Sequence, residues 1–84
     1  MSVEVRGKVV QVIGTVVDLR FPPDNLPPIY GAVSLTNPTI NDKPENLILE
    51  VAQHLGDSTV RCIAMETTDG VRRGQEATYR GEGI

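Results

Sequence analysis

Apolar and polar residues alternate along several short stretches of the chain, and a period of two is typical of β-strands. The segment 7–21 is rich in valine and is interrupted once, at Gly14. After the interruption, one face carries Thr15, Val17, Leu19 and Phe21, and the other carries Val16, Asp18 and Arg20. Before it, apolar residues occupy both faces, with Val9, Gln11 and Ile13 opposite Lys8, Val10 and Val12. A glycine between two β-branched runs predicts a sharp bend or bulge, as at a barrel corner.

The remainder of the chain predicts four more short strands and no helix. Prolines and asparagine dominate the segment 21–29, which indicates an ordered loop, and the segment 36–45, which indicates a turn or hairpin tip. The predicted strands lie at 30–35, 46–53, 58–65 and 75–79. About six short strands at roughly 8–12-residue spacing are typical of a small all-β barrel or sandwich. Closure into a barrel would also remove the exposed strand edges of so short a sheet.

Length and composition limit what such a domain can contain. Eighty-four residues correspond to one domain with a thin core, which rarely nets more than about 3–5 kcal/mol without a partner, a metal or a disulfide. One cysteine and one histidine allow neither an internal disulfide nor a zinc ligand set. The net charge of −3 argues against a surface for nucleic acid or anionic lipid, since such surfaces need an excess of Lys and Arg.

The candidate chemical groups are few and isolated. The phosphate-binding pattern G-x-x-x-x-G-K-[ST] is absent, so no cofactor is predicted. His54 lacks a nucleophile at any recognisable spacing, and we interpret it as a structural or interface residue. Cys62 lies mid-strand on an apolar face and is predicted to be buried and unreactive. Arg72 and Arg73 are predicted to form an exposed hairpin end or a subunit contact.

Scattered carboxylates could form an acid–base pair only if the fold brought two of them together. We expect these side chains to be solvated on strand faces and turns: Asp18, Glu50, Glu66, Asp69 and Glu76. No catalytic site, cofactor site or metal site is therefore predicted.

Specific residue runs carry a resemblance beyond this pattern. Three segments resemble the opening part of rotary ATP synthase beta subunits: Gly7–Gly14, Val16–Asp18 with Phe21–Pro22, and Leu26–Tyr30. The run Leu49–Gly56, read Leu-Glu-Val-Ala-Gln-His-Leu-Gly, is the most specific, and the similarity continues to Gly74. The resemblance implies the family's N-terminal domain, a closed six-stranded antiparallel β-barrel, here spanning residues 1–84 as a single domain.

The same resemblance implies a role in assembly and not in catalysis. Barrels of this family alternate between alpha and beta subunits and form the crown of the hexamer, so alpha subunits are the implied partners. The complex couples proton transport to ATP synthesis as a peripheral part of a membrane assembly. It lies on the cytoplasmic side of the bacterial inner membrane or in the matrix or stroma of an organelle. Candidate interface or structural residues are His54, Arg72, Arg73 and Tyr30.

The sequence departs from the family pattern at two places, and two alternative functions remain to be considered. Thr15 stands where the family usually has proline, and the ending from Tyr79 to Ile84 differs from the family's exit toward the nucleotide domain. We therefore expect an excised or re-engineered barrel, a hypothesis that a gene continuing past Ile84 would exclude. The alternative functions are a stand-alone barrel that binds nucleic acid or a small anion, and an engineered self-assembling barrel.

Overall fold

A computed structural model describes residues 4–83 of the chain, whose six β-strands close into an antiparallel barrel. The strands are β1 (Val5–Ile13), β2 (Val16–Arg20), β3 (Gly31–Leu35), β4 (Leu47–Gly56), β5 (Thr59–Ala64) and β6 (Glu76–Gly83). Their order around the barrel is β1-β2-β5-β4-β3-β6, and β6 pairs with β1 to complete the circle. The predicted all-β closed barrel of six antiparallel strands is confirmed. Residues 1–3 and Ile84, which belong to the predicted domain, lie outside the described residues.

The core fills the inside of the barrel with the residues that the alternating pattern predicts. Val17 and Leu19 from β2, and Leu49 and Val51 from β4, are fully shielded from solvent. On β5, Cys62 faces inward with Val60 and Ala64. Inward apolar side chains at every second position explain why these short segments form strands.

The first hairpin differs from its prediction in the position of the irregularity. Gly14 is not a bend within a strand, because Gly14 and Thr15 form a two-residue turn between the paired residues Ile13 and Val16. Gly14 has a φ of 58°, which glycine adopts without steric cost. The bulge lies earlier, between Val9 and Gln11.

This bulge reverses the inward face of β1. Val9 is buried, but Gln11 and Ile13 are exposed, and Val12 packs partly against the core. One extra residue in a strand moves every later side chain to the opposite face. The predicted grouping of Val9 with Gln11 and Ile13 is therefore wrong beyond Val9.

The loop between β3 and β4 is a structured hairpin tip built around a buried asparagine. The backbone N–H of Asn37 donates to Asn46 Oδ1 at 2.7 Å, and its side-chain amide donates to the carbonyl of Thr67 at 3.0 Å. The hydroxyl oxygen of Thr39 lies 2.6 Å from the carbonyl oxygen of Asp69. These contacts fasten the loop to the turn after β5, and buried polar groups are tolerated because they have partners.

Candidate functional site

The register of the strands aligns a row of apolar side chains on the outside of the barrel. Ile13 of β1 pairs with Val16 of β2, Val16 pairs with Ile63 of β5, and Ile63 pairs with Glu50 of β4. One step further, the backbone N–H of Met65 donates to the carbonyl of Ile48 at 3.0 Å. We name the surface formed by five apolar residues the outer apolar strip: Ile13, Val16, Ile48, Ile63 and Met65.

Much of the outer apolar strip is open to solvent. The exposed fraction is 62% for Ile13 and 48% for Met65, and Ile48 and Ile63 are also exposed. Isolated exposed apolar residues are ordinary, but a contiguous group across three or more strands is a feature of interaction surfaces. The strip is therefore the strongest candidate for a docking surface.

Glu50 lies at the β4 end of this row, at the border of the outer apolar strip. Its cross-strand neighbours are Ile63 on β5 and Ala32 on β3, and Ile48 precedes it by two positions on the same face of β4. Its side chain is partly buried, and no hydrogen bond or ion pair of Glu50 occurs among the described residues. A carboxylate without a partner beside apolar groups gains electrostatic stabilisation if a cation approaches it.

A row of polar side chains runs beside the strip, and it contains an ion pair that the sequence analysis did not predict. Asp18 of β2 lies between Gln11 of β1 and Arg61 of β5 in the strand register. Both oxygens of Asp18 accept from the Arg61 guanidinium, so the carboxylate is buried beneath it. The prediction of a solvated Asp18 is therefore wrong, because a long arginine side chain on the neighbouring strand covers it.

A second polar cluster lines a cavity of about 360 Å³ on the β1–β6–β3 side of the barrel. Its charged groups form a chain of contacts. Arg80 binds Glu45, with Nη2 2.8 Å from Oε2, and approaches Glu4 at 3.8 Å. Arg6 donates to Glu4 at 2.9 Å and lies 3.7 Å from Glu76. Both arginines are neutralised by carboxylates, so the cavity offers little attraction to an anion.

Hydrogen bonding changes the protonation equilibria in this cluster. The Arg80 guanidinium, and secondly the Ser34 hydroxyl, hold the pKa of the Glu45 carboxyl below its ordinary value. The Glu4 carboxylate raises the pKa of Arg6 through a hydrogen bond. Each shift favours the charged form of both partners, which is the behaviour of a structural ion-pair network.

Two of the predicted interface residues lie beside the proline-rich loop, residues 21–29. His54, at the exposed end of β4, places Nε2 2.7 Å from the carbonyl oxygen of Pro27, so this nitrogen carries a proton and donates. Tyr30 is 72% exposed, and its backbone N–H donates to the carbonyl of Val51. Tyr30 has a φ of 72° and precedes β3, which begins at Gly31, one residue later than predicted.

The other two predicted residues lie elsewhere, in the connection between β5 and β6. Arg72 and Arg73 are exposed in this turn. The turn is closed by a hydrogen bond from the Gln75 N–H to the Arg72 carbonyl at 3.1 Å. The N–H of the following Gly74 donates to the carbonyl of Val9 on β1 at 2.7 Å. The turn that carries these arginines is thus bonded to β1 through Gly74, whereas the Tyr30 backbone bonds to β4 and the His54 side chain to the carbonyl of Pro27.

Reactive and metal-binding groups do not converge within the described part of the chain. Cys62 is buried, as predicted, and burial raises the pKa of its thiol to about 12, with a smaller effect of the Asp18 charge. Among residues 4–83, no three His, Cys, Asp or Glu side chains are grouped to hold a metal ion. The same residues contain no helix of the length and apolar character needed to cross a membrane.

These observations define a small closed β-barrel domain whose interior is filled by side chains and whose most distinctive surface is apolar. The family model of the ATP synthase alpha/beta family, beta-barrel domain, matches residues 9–81. The chain belongs to this family, and the matched region includes every strand of the barrel except the beginning of β1 and the end of β6.

Sequence reasoning missed the Asp18–Arg61 pair, the cluster around Arg80 and the buried Asn37. Each depends on which strands become neighbours, since Asp18 and Arg61 are 43 positions apart and Arg80 and Glu45 are 35 apart. The alternation of β2 and β5 did place Asp18 and Arg61 on outward faces. Only the pairing of these two strands brings them together.

Proposed function

We propose that this chain is the barrel of a beta-type subunit, a structural domain that packs beside alpha-subunit barrels in the crown of an ATP synthase hexamer. The observation that carries the proposal is the family match over residues 9–81 of a closed barrel. The run Leu49–Gly56, which forms most of β4, supports the beta type. The single domain extends over residues 1–84 and has no catalytic activity or cofactor of its own.

The exposed apolar surface supports an assembly role. A barrel with a filled interior and a solvated exterior would need no partner, but the outer apolar strip leaves five apolar side chains available for contact. Burial of apolar area contributes about 25 cal/mol per Å², so such a strip gains free energy from a neighbouring barrel. In the assembled complex, the domain is a peripheral component on the cytoplasmic side of a bacterial inner membrane or in an organelle matrix or stroma.

The predicted interface residues extend this proposal beyond the strip. Tyr30 directly precedes β3, His54 lies near the end of β4, and Arg72 and Arg73 form the exposed β5–β6 turn. We assign them to contacts with neighbouring subunits or to local structure.

A comparison of two partners tests the proposal. The chain is mixed with the alpha-subunit barrel of the same organism and, separately, with a beta-subunit barrel, and each mixture is titrated by calorimetry. A beta-type chain binds the alpha barrel and not the beta barrel. Binding to the beta barrel alone would contradict the assignment of subunit type, and binding to neither would contradict the assembly role.

Nucleic-acid binding is the alternative function, and the surface does not favour it. Of the three aromatic residues, Phe21 is buried and Tyr79 is partly buried, which leaves Tyr30 exposed. Single-strand binding requires several exposed aromatic side chains within a basic groove. Filter binding at low salt tests this alternative, since affinity for phosphates falls steeply as salt rises.

A further inference from the structure

The position of Glu50 specifies the chemistry of what covers the outer apolar strip. Its nearest outward neighbours are Ala32, Ile48 and Ile63, and none of these can donate a hydrogen bond to a carboxylate. The charged residues of the neighbouring rows already have partners, because Arg61 binds Asp18 and Arg80 binds Glu45. No ion pair among the described residues joins a cation of this chain to Glu50.

A partner that buried this strip without a compensating charge would lose binding free energy. Desolvation of an unpaired carboxylate is costly, and a complementary cation turns the same residue into a determinant of specificity. A purely apolar partner is therefore disfavoured, whereas a partner with apolar side chains around one basic side chain fits both features. Arginine or lysine can reach across a sheet surface by laying its stem on apolar side chains.

We infer that the outer apolar strip is the docking surface for an alpha-type barrel, and that this barrel presents a lysine or arginine to the carboxylate of Glu50. The inference rests on the proposed function, since it takes the alpha barrel as the occupant. It adds the face of the barrel that is used and the residue chemistry that the partner must contribute.

The experiment measures the Kd of this chain for the alpha-subunit barrel of the same organism by calorimetry, with charge variants at two sites. Glu50→Lys reverses the charge at this position, and Glu50→Gln removes it with little change of shape. Asp42→Lys is the matched control, because Asp42 is exposed in the β3–β4 loop and has no hydrogen bond or ion pair among the described residues. Far-ultraviolet circular dichroism and thermal melts establish that each variant is folded.

We expect Glu50→Gln to raise Kd about 10-fold and Glu50→Lys to raise it further, because a desolvated charge pair is lost or made repulsive. Asp42→Lys leaves Kd within about threefold, as is usual for a charge outside an interface. The apolar contact is tested separately with Ile63→Ala, which raises Kd about fivefold or more if Ile63 is covered. Leu55→Ala, at an exposed apolar residue outside the strip, is its control.

The outcomes test the proposed docking surface separately from the proposed assembly function. If the wild-type chain binds the alpha barrel and the Glu50 and Ile63 variants bind it equally well, the proposed docking surface is wrong and the assembly role stands. No binding by the wild-type chain would overturn both. If the chain alone self-associates and Glu50→Lys abolishes this self-association, the strip binds a second copy of the chain. That result would contradict docking of an alpha-type barrel.

Discussion

Asp18 and Arg61 form a two-point ion pair across β2 and β5 on the outside of the barrel. The Nε–Oδ1 distance is 3.0 Å and the Nη2–Oδ2 distance is 3.1 Å. The Asp18 side chain is only 7% exposed, whereas 39% of the Arg61 side chain remains in solvent. The hydrogen bond to Asp18, and secondly its charge, raise the pKa of Arg61, so the arginine stays charged at all ordinary pH values. The pair ties together two strands that are distant in sequence.

Removal of the charge of Asp18 should destabilise the barrel. We expect Asp18→Asn to lower Tm by about 4–8 °C, because the buried position keeps its polar group but loses the charge that holds Arg61. The control Asp42→Asn removes a charge from the exposed loop and should change Tm by less than about 3 °C. Equal melting temperatures for the two variants, measured by circular dichroism, would show that the pair contributes nothing.

The β3–β4 loop packs so closely against the turn after β5 that there is no room for a side chain at Gly70. Gly70 has a φ of 95°, and a Cβ there would lie 2.6 Å from Thr39 Cγ2 and 2.9 Å from Asn37 Oδ1. Gly74 has a φ of 88° but open space around it. Gly70→Ala should therefore reduce the free energy of unfolding by about 1–3 kcal/mol more than Gly74→Ala, because only the first adds a clash to the shared backbone strain. Urea unfolding measures both, and equal losses would contradict the clash.

The Glu45–Arg80 contact should contribute to stability only while Glu45 is ionised. Its pKa is held below the ordinary value of 4.5, first by Arg80 and then by Ser34. A depressed pKa in the folded state means that the contribution is complete above pH 4.5 and disappears as the pH falls through the folded-state pKa. Because 37% of the Glu45 side chain is exposed, solvent screens the pair, and we expect Glu45→Gln to cost less than about 1 kcal/mol at pH 7.

Unfolding by urea at pH 7 and pH 3 tests this dependence. The difference in the free energy of unfolding between the wild-type chain and Glu45→Gln should be present at pH 7 and smaller at pH 3, because the ionised fraction of Glu45 decreases as the pH falls below 4.5. A difference of the same size at both pH values would mean that the effect of the substitution is steric.

The buried thiol should be unreactive in the folded protein. Burial raises the pKa of Cys62 from 9.0 to about 12, so the thiolate fraction at pH 8 falls from about one in ten to about one in ten thousand. We expect a disulfide reagent at pH 8 to label Cys62 at least about 1000-fold more slowly in buffer than in denaturant. Rapid labelling of the native protein would show that the barrel opens at β5.

The alternation of apolar residues predicted most of the fold because the side chains of β2, β4 and β5 face alternately into the barrel and out of it. Leu49, Cys62 and Leu19 lie inside as the pattern requires. The prediction failed on β1, where a bulge after Val9 shifts the face without any glycine or proline to mark it. A bulge is determined by the neighbouring strand and the turn that bonds to Val9, so the local sequence carries no signal for it.

The candidate surface was less predictable than the fold. The sequence shows that Ile48, Glu50 and Ile63 face outward once the strands are assigned, but their adjacency requires the pairing of β4 with β5. The burial of Asp18 required the same kind of information from the pairing of β2 with β5. The predicted interface residues Tyr30, His54, Arg72 and Arg73 were selected from isolated positions, and they stay predictions.

Light scattering on a sizing column, with the chain alone and mixed with the alpha-subunit barrel of the same organism, tests whether this barrel assembles with an alpha-type partner. We expect a single species for the chain alone and a new peak in the mixture whose mass equals the sum of both barrels. Two peaks that keep their separate masses at concentrations well above micromolar would contradict the assembly role.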